Sequence, residues 1–275
     1  MKMKVCKGLN RVRELLTIVI PIVLVASCSL FEYHPYETNI SPEDKNLNNK
    51  AIAKIISATT EKDTLTIIAM GDTQRFYDEV DDFITSANTH EFDFAILNGD
   101  ITDFGLKDEF EWVHDRMRKL KKPYIGVIGN HDLSGNGEII YEKMYGPVND
   151  SFIVRRIKFI ILNTNSREYQ YNGHVPNISW LNSELAEQDF DRAIVVSHIA
   201  PYDLDFDGNL EQAYSSALYQ SGKVNLSLHG HRHSFQEGEP YKDGIRYIVS
   251  TSMDERMYLI IKVFGKNFTL KKVFY

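Results

Sequence analysis

Five short segments hold residues able to bind cations or move protons: Gly71-Asp72-Thr73-Gln74, Gly99-Asp100-Ile101-Thr102-Asp103, Gly129-Asn130-His131-Asp132, Ser197-His198 and Gly230-His231-Arg232-His233. Taken singly, each has an ordinary structural reading. A Gly-Asp after an apolar run is a turn with a helix cap, and a lone His is a hydrogen-bonded surface residue. Together they supply carboxylate, amide and imidazole groups without thiolate, a set that suits Mn, Fe, Zn or Mg rather than a soft metal. His231 and His233 are two residues apart, so on extended backbone both leave one face and can serve neighbouring ions. Two divalent ions about 3.5–4 Å apart clamp an attacking hydroxide and polarise phosphoryl oxygens. With two Asp carboxylates and a hydroxide, such a centre keeps a positive charge and attracts phosphate even inside an acidic protein.

These segments need strands ahead of them, since ligands of open α/β sheets gather beyond the strands' carboxyl ends. Apolar runs at 65–70, 94–97 and 124–128 end at the first three segments. Between them Phe76, Val80, Phe83, Ile84 and Ala87, and then Phe110, Val113, Met117 and Leu120, recur at helical spacing. Further strands are expected at 152–154, 158–162, 193–196, 224–228, 246–249 and 258–263, with a helix near Gln212–Tyr219. The first half therefore reads βαβαβ and the second is richer in strands, which predicts an α/β sandwich with mixed sheets. Phe83, Phe110 and Trp180 read as packing residues. No repeat or internal linker divides this part, so one domain is expected.

The 275 residues carry 31 Lys+Arg and 38 Asp+Glu, a net charge of −7, and 43% are hydrophobic. These values exclude low-complexity, collagen-like and multi-span membrane proteins. The total conceals two unlike parts. Residues 1–27 hold five basic residues and one acid, and the remaining 248 residues carry a net −11. The basic start, the apolar run Leu15 to Ala26 interrupted by Pro21, and the small residues before Cys28 have the layout of a secretory signal, too short to span a bilayer comfortably. Leu24-Val25-Ala26-Ser27-Cys28 resembles the lipobox of bacterial lipoproteins. The resemblance implies cleavage before Cys28, lipid on its sulfur, and a protein anchored in the membrane of the cell envelope outside the cytoplasm. Cys6 then leaves with the signal. Residues 28–50, with Pro35 and Pro42 and no periodicity, read as a tether, and the folded domain is expected from 51 to 275.

The five segments, in this order, resemble the pattern of the calcineurin-like metallophosphoesterase family over roughly residues 64–235: GD-x-H, GD-x-x-D, GNH-[DE], a separate His, and GH-x-H. The resemblance implies a sandwich of two mixed β-sheets flanked by helices, two divalent ions (Mn, Fe or Zn, with Mg as the further candidate), and hydrolysis of phosphate mono- or diesters. One ion would be held by Asp72, Asp100 and His233, with Gln74 where the family has His. The other would be held by Asp100, Asn130, His198 and His231, with Asp100 bridging. His131 would contact the phosphate and protonate the leaving oxygen, with Asp103 orienting its ring. Gln74 departs from the pattern. An amide oxygen is a harder, weaker donor than imidazole, so looser binding and a drift toward Mn or Mg are expected, unless Gln74 only caps the following helix.

Two other functions remain to be weighed. Gln74 alone speaks for a non-catalytic phosphate-binding lipoprotein on the same fold. A nuclease is disfavoured by the −11 charge and the lack of a basic stripe, because nucleic-acid affinity rests on neutralising phosphates. No protein partner is evident. Asp203-Leu204-Asp205-Phe206-Asp207-Gly208 begins like an EF-hand loop but has Tyr214 at the twelfth position, where a bidentate Glu is required. It reads instead as an acidic turn beside His198 that shapes the substrate rim. His229 reads as a packing or supporting residue, His34, His90, His114 and His174 as surface residues, and Asn177-Ile178-Ser179 as no modification site. The loops at 134–150, 164–178 and 202–212 carry no signature of a substrate.

Overall fold

A computed structural model describes His34, residues 36–58 and residues 64–275. The signal segment and Cys28 lie outside these. The chain divides into two units, Met1–Glu37 and Thr38–Tyr275, and all the described helices and strands lie in the second. Among the described residues no helix is long and apolar enough to cross a membrane.

The runs that read as strands are strands: β1 (Thr64–Met70), β2 (Phe94–Leu97), β3 (Tyr124–Gly126), β4 (Asp150–Val154), β5 (Ile157–Ile161), β6 (Arg192–Val196), β7 (Val224–His229), β9 (Arg246–Val249) and β10 (Met257–Phe264). Two were not anticipated, β8 (Gln236–Gly238) and β11 (Asn267–Phe274). The helices are α1 (Leu47–Ser57), α2 (Tyr77–Ala87), α3 (Lys107–Met117), α4 (Gly137–Met144), α5 (Ile178–Ala186) and α6 (Gly208–Ser221). One sheet has the order β11-β10-β1-β2-β3 and the other β4-β5-β6-β7-β9-β8. β1, β2 and β3 are parallel, as are β5, β6, β7 and β9, while β10, β11, β4 and β8 run antiparallel to their neighbours. The expected sandwich of two mixed sheets is therefore present.

Alternation along each strand explains the layering. Ile67 and Ala69 of β1 pack inward against Phe159, Ile194 and Leu226 of the facing sheet, whereas Ile68 and Met70 pack outward against Phe83 and Phe110 of α2 and α3. Both faces of the central strands are covered, so their sequences are continuous apolar runs rather than alternating ones. A third cluster joins Ile160 and Val195 to Leu181 of α5 and Tyr214 and Leu218 of α6.

The folded unit starts at Thr38, ahead of the start expected at residue 51. Ile40 is buried at 6% exposure. The side chain of Asn48 accepts from the Gly126 amide at 2.9 Å and donates to the Gly126 carbonyl at 2.9 Å, pinning α1 to β3. Residues 38–50, read as tether, are thus part of the domain. The loop expected at 134–150 contains α4, whose Ile140, Tyr141 and Met144 are buried. His114, expected on the surface, is half-buried and hydrogen-bonds Tyr124 Oη at 2.8 Å.

Candidate metal centre

The parallel strands of both sheets deliver all five segments to one place. Asp72 and Gln74 follow β1, Asp100 and Asp103 follow β2, Asn130 and His131 follow β3, His198 follows β6, and His231 and His233 follow β7. Asp72, Gln74, Asp100, His231 and His233 all adopt positive φ, between 36° and 74°. Such backbone is uncommon for residues with a side chain and costs about 1–3 kcal/mol each, so it concentrates where geometry serves a site.

Besides a set formed by Asp203, Asp205 and His231, two sets of ligand atoms lie within 4.8 Å of one another: Asp100, His198 and His231, and Asp72, Asp100 and His233. Asp100, 1% exposed, belongs to both. His198 Nδ1 lies 2.7 Å from the carbonyl of Asn98, which can only accept, so that nitrogen carries the proton. Its Nε2 faces Asn130 Oδ1 at 3.1 Å and Asp100 Oδ1 at 3.3 Å. His231 donates from Nε2 to Asp205 Oδ2 at 3.0 Å, which leaves its Nδ1 lone pair 2.9 Å from Asn130 Oδ1. His233 Nε2 lies 3.4 Å from Asp72 Oδ1. Once a cation takes the place of the proton between His198 and Asp100, ring nitrogens, an amide oxygen and carboxylates all turn lone pairs to one spot, a donor set that a cation satisfies.

The charges agree. Burial, reinforced by the nearby Asp100, pushes Asp72 up to about 8, although His198 pulls the other way. Burial and then Asp100 push Asp132 up to about 7. Burial is the largest single influence on Asp100 and His198 as well, but His198 and His131 together hold Asp100 below the usual carboxylate range, and Asp100, Asp72 and the Asn98 carbonyl together hold His198 above the usual imidazole one. Carboxylates crowded in this way need positive charge among them, which the donor set is built to hold. The residues therefore fit a pair of divalent ions.

Gln74 is 3% exposed, and its side-chain amide lies 3.4 Å from Asp100 Oδ2. It does not cap α2, whose first flanking residue is Phe76. Since an amide can present either end to the same spot, Gln74 can offer its oxygen to an ion next to Asp100. His131 is placed otherwise than expected in one detail. Its Nδ1 lies 2.9 Å from the backbone carbonyl of Asp103, while the Asp103 carboxylate is 3.8 Å away and pairs with Arg75 at 3.3 Å. The carbonyl fixes the proton on Nδ1 and leaves Nε2 as the available nitrogen of a ring that is 39% exposed.

Several supporting residues escaped the sequence reading. Asp132, within the third segment, accepts from the amides of Gly129, Ile101 and Thr102 and from Thr102 Oγ1 at 2.8–3.1 Å, tying the β3 loop to the β2 loop. Asp205 of the EF-hand-like turn holds His231. Asp205 also takes Arg167 at 2.6 Å, Asp203 takes Arg232, and Asp207 caps α6 through Asn209 N. A carboxylate behind a ligating imidazole fixes its tautomer and orientation. His229, by contrast, was read as a packing or supporting residue and is one: it is fully buried, held neutral by burial and then by His198, which lower it to about 3, and it bonds Ser197 Oγ at 3.0 Å.

The glycines before the ligands are close-approach positions. A Cβ on Gly129 would lie 2.0 Å from the Asp100 backbone nitrogen, and one on Gly99, at φ +91°, would lie 2.4 Å from His198 Nδ1. Backbone cannot yield as a flexible side chain can. Gly129→Ala is therefore expected to cost roughly 1–3 kcal/mol of stability and to disperse the ligand cluster. Urea denaturation together with metal analysis checks this, and an unchanged midpoint with full metal content would refute it.

Comparison with known proteins agrees with this geometry. The model of the calcineurin-like phosphoesterase family matches residues 65–235. A probable cyclic nucleotide phosphodiesterase of Xenorhabdus bovienii is 26% identical over 156 residues, covering 57% of this chain and 51% of that protein. Purple acid phosphatase 4 of Arabidopsis thaliana is 24% identical over 206 residues, covering 64% of this chain and 60% of that protein. The chain thus spans about half to three-fifths of these relatives. A dimetal phosphatase from Danio rerio superposes with a TM-score of 0.60 at 12% identity, over 76% of this chain and 95% of that one, a likeness of fold. With the family match extending over most of the folded unit and all five segments inside it, this chain belongs to the calcineurin-like phosphoesterase family, a family of metal-dependent phosphoesterases.

Proposed function

We propose that the protein hydrolyses phosphate esters with two divalent ions, at a bacterial cell envelope to which lipidated Cys28 attaches it. The observation that carries the activity is Asp100, a buried carboxylate shared by two sets of ligand atoms. Asp72, Gln74, Asp100 and His233 would hold one ion, and Asp100, Asn130, His198 and His231 the other. When bound, such ions supply a nucleophile from water at neutral pH and neutralise charge on the phosphoryl oxygens. The chain's own part is to orient and to move a proton. Asp205 holds His231, and the Asn98 carbonyl holds His198, so that both rings keep their lone pairs inward. His131, anchored at Nδ1 and carrying a second proton on Nε2, would give that Nε2 proton to the oxygen that leaves phosphorus as the P–O bond breaks, and would be left neutral with its Nδ1 proton still on the Asp103 carbonyl. The relatives bear the names of a phosphodiesterase and a phosphatase, which supports an ester substrate without choosing between diester and monoester.

The test is hydrolysis of nitrophenyl phosphate mono- and diesters by metal-stripped protein resupplied with Mn, Fe, Zn or Mg. Activity should vanish on stripping and return with at least one ion. No turnover with any of them, together with retained phosphate binding, would favour a binding protein instead. In the same assay Gln74→His should lower the metal concentration needed for half-maximal activity, since imidazole replaces a weaker oxygen donor. An unchanged requirement would remove Gln74 from the ligand set.

A further inference from the structure

A second feature lies at the opposite end of the sheet. Between α1 and the corner that joins α3 to β3 is a cavity of about 350 Å³, lined by five basic residues and one acid, Glu43. Arg118 pairs with Asp115 at 3.1 Å and Lys121 with Glu91 at 2.9 Å. Lys50, Lys54 and Lys122 have no ion-pair partner among the described residues, where the Lys50 ammonium donates to the Glu43 carbonyl at 2.6 Å. Lys50 and Lys54 are also one helical turn apart on α1, a like-charge spacing that repels. In a chain whose residues 28–275 carry −11, gathering cations unpaired around one cavity calls for an anion.

We infer that this cavity docks the phosphate headgroup of an anionic lipid and so holds the domain on a membrane surface. The floor favours a lipid over a free anion. Leu47, Met117 and Leu120 line it beneath the lysine rim, so the site joins apolar surface to positive charge as an amphiphile's headgroup region does. Its position in the chain agrees. Leu47 and Glu43 belong to the first folded segment, and nine residues lie between Cys28 and Thr38, a span of at most roughly 35 Å. On the proposed attachment at Cys28, a tether of that length keeps the domain within reach of the bilayer. Finally, Tyr124 at the amino end of β3 lines the cavity, whereas Asn130 lies beyond its carboxyl end. Docking here turns the metal centre away from the lipid, toward soluble phosphoesters.

The test uses the full-length chain reconstituted into vesicles of phosphatidylcholine alone or mixed with phosphatidylglycerol, with lysine labelling by an amine-reactive reagent read by mass spectrometry. Labelling of Lys50, Lys54 and Lys122 should fall about fivefold or more in the anionic vesicles only, and recover at high salt. Equal labelling in both vesicles would overturn the inference. Protection of the detergent-solubilised protein by inorganic phosphate alone would also overturn it, in favour of a soluble-anion site. The K50Q/K54Q/K122Q variant should keep its phosphoesterase turnover and lose the lipid-dependent difference in labelling at Lys121. A variant that keeps that difference would equally refute the docking. Turnover and labelling are read separately, so failure of the catalytic reading leaves this result standing.

Discussion

Asp100→Asn is expected to lower kcat/KM for a phosphoester by on the order of a thousandfold or more, and to reduce the bound metal below two ions per chain. The change is nearly isosteric and keeps an oxygen at the same place, so packing at this buried position is preserved. What it removes is the negative charge between the two ligand sets. No neighbour can replace it. Asp72 lies on one side with His233, and Asp132, though close, is engaged by three backbone amides and Thr102 Oγ1. The Asn amide would also lose the charge-assisted bond from the His131 amide, 2.9 Å from Asp100 Oδ1, so the loop carrying His131 would loosen as well. Turnover and metal content should therefore fall together. Persistent activity with two ions bound would overturn the shared-ligand assignment and, with it, the dinuclear reading.

Much of this centre was legible because four of its five segments follow an apolar run closed by Gly-Asp, Gly-Asn or Gly-His, with His198 following Ser197 at the end of a fifth run, and because strands buried on both faces leave unbroken apolar sequence. The same logic explains what was missed. β11 is an edge strand whose residues are mostly exposed or half-buried, so Lys271 and Lys272 break any pattern along it. The start of the domain rests on one buried apolar residue, Ile40, and on polar ties such as Lys143 Nζ to Thr38 at 2.8 Å, neither of which has a period. Asp205 supports His231 across 26 residues, a pairing that no local motif announces. Asp103 orients His131 through its main-chain carbonyl, which any residue would supply. Sequence patterns carry side-chain chemistry at strand ends well, and they are silent on backbone acceptors and long-range second partners.

That distinction bears on what His131 does. If Nε2 protonates the departing oxygen, the benefit depends on how poor the leaving group is. A nitrophenolate leaves readily without a proton, whereas an alkoxide, a far stronger base, does not. His131→Gln keeps a side chain able to donate a hydrogen bond to the Asp103 carbonyl, yet cannot transfer a proton. It should cost roughly 10²–10⁴-fold in kcat for alkyl phosphoesters and far less for nitrophenyl esters. Metal content should be retained, because no ring nitrogen of His131 belongs to either ligand set. Plotting log kcat against leaving-group pKa for the two proteins separates the roles. A steeper slope in the variant supports proton donation. Parallel lines displaced by a constant amount would mean that His131 holds the phosphate or the loop, and that the proton reaches the leaving oxygen from elsewhere.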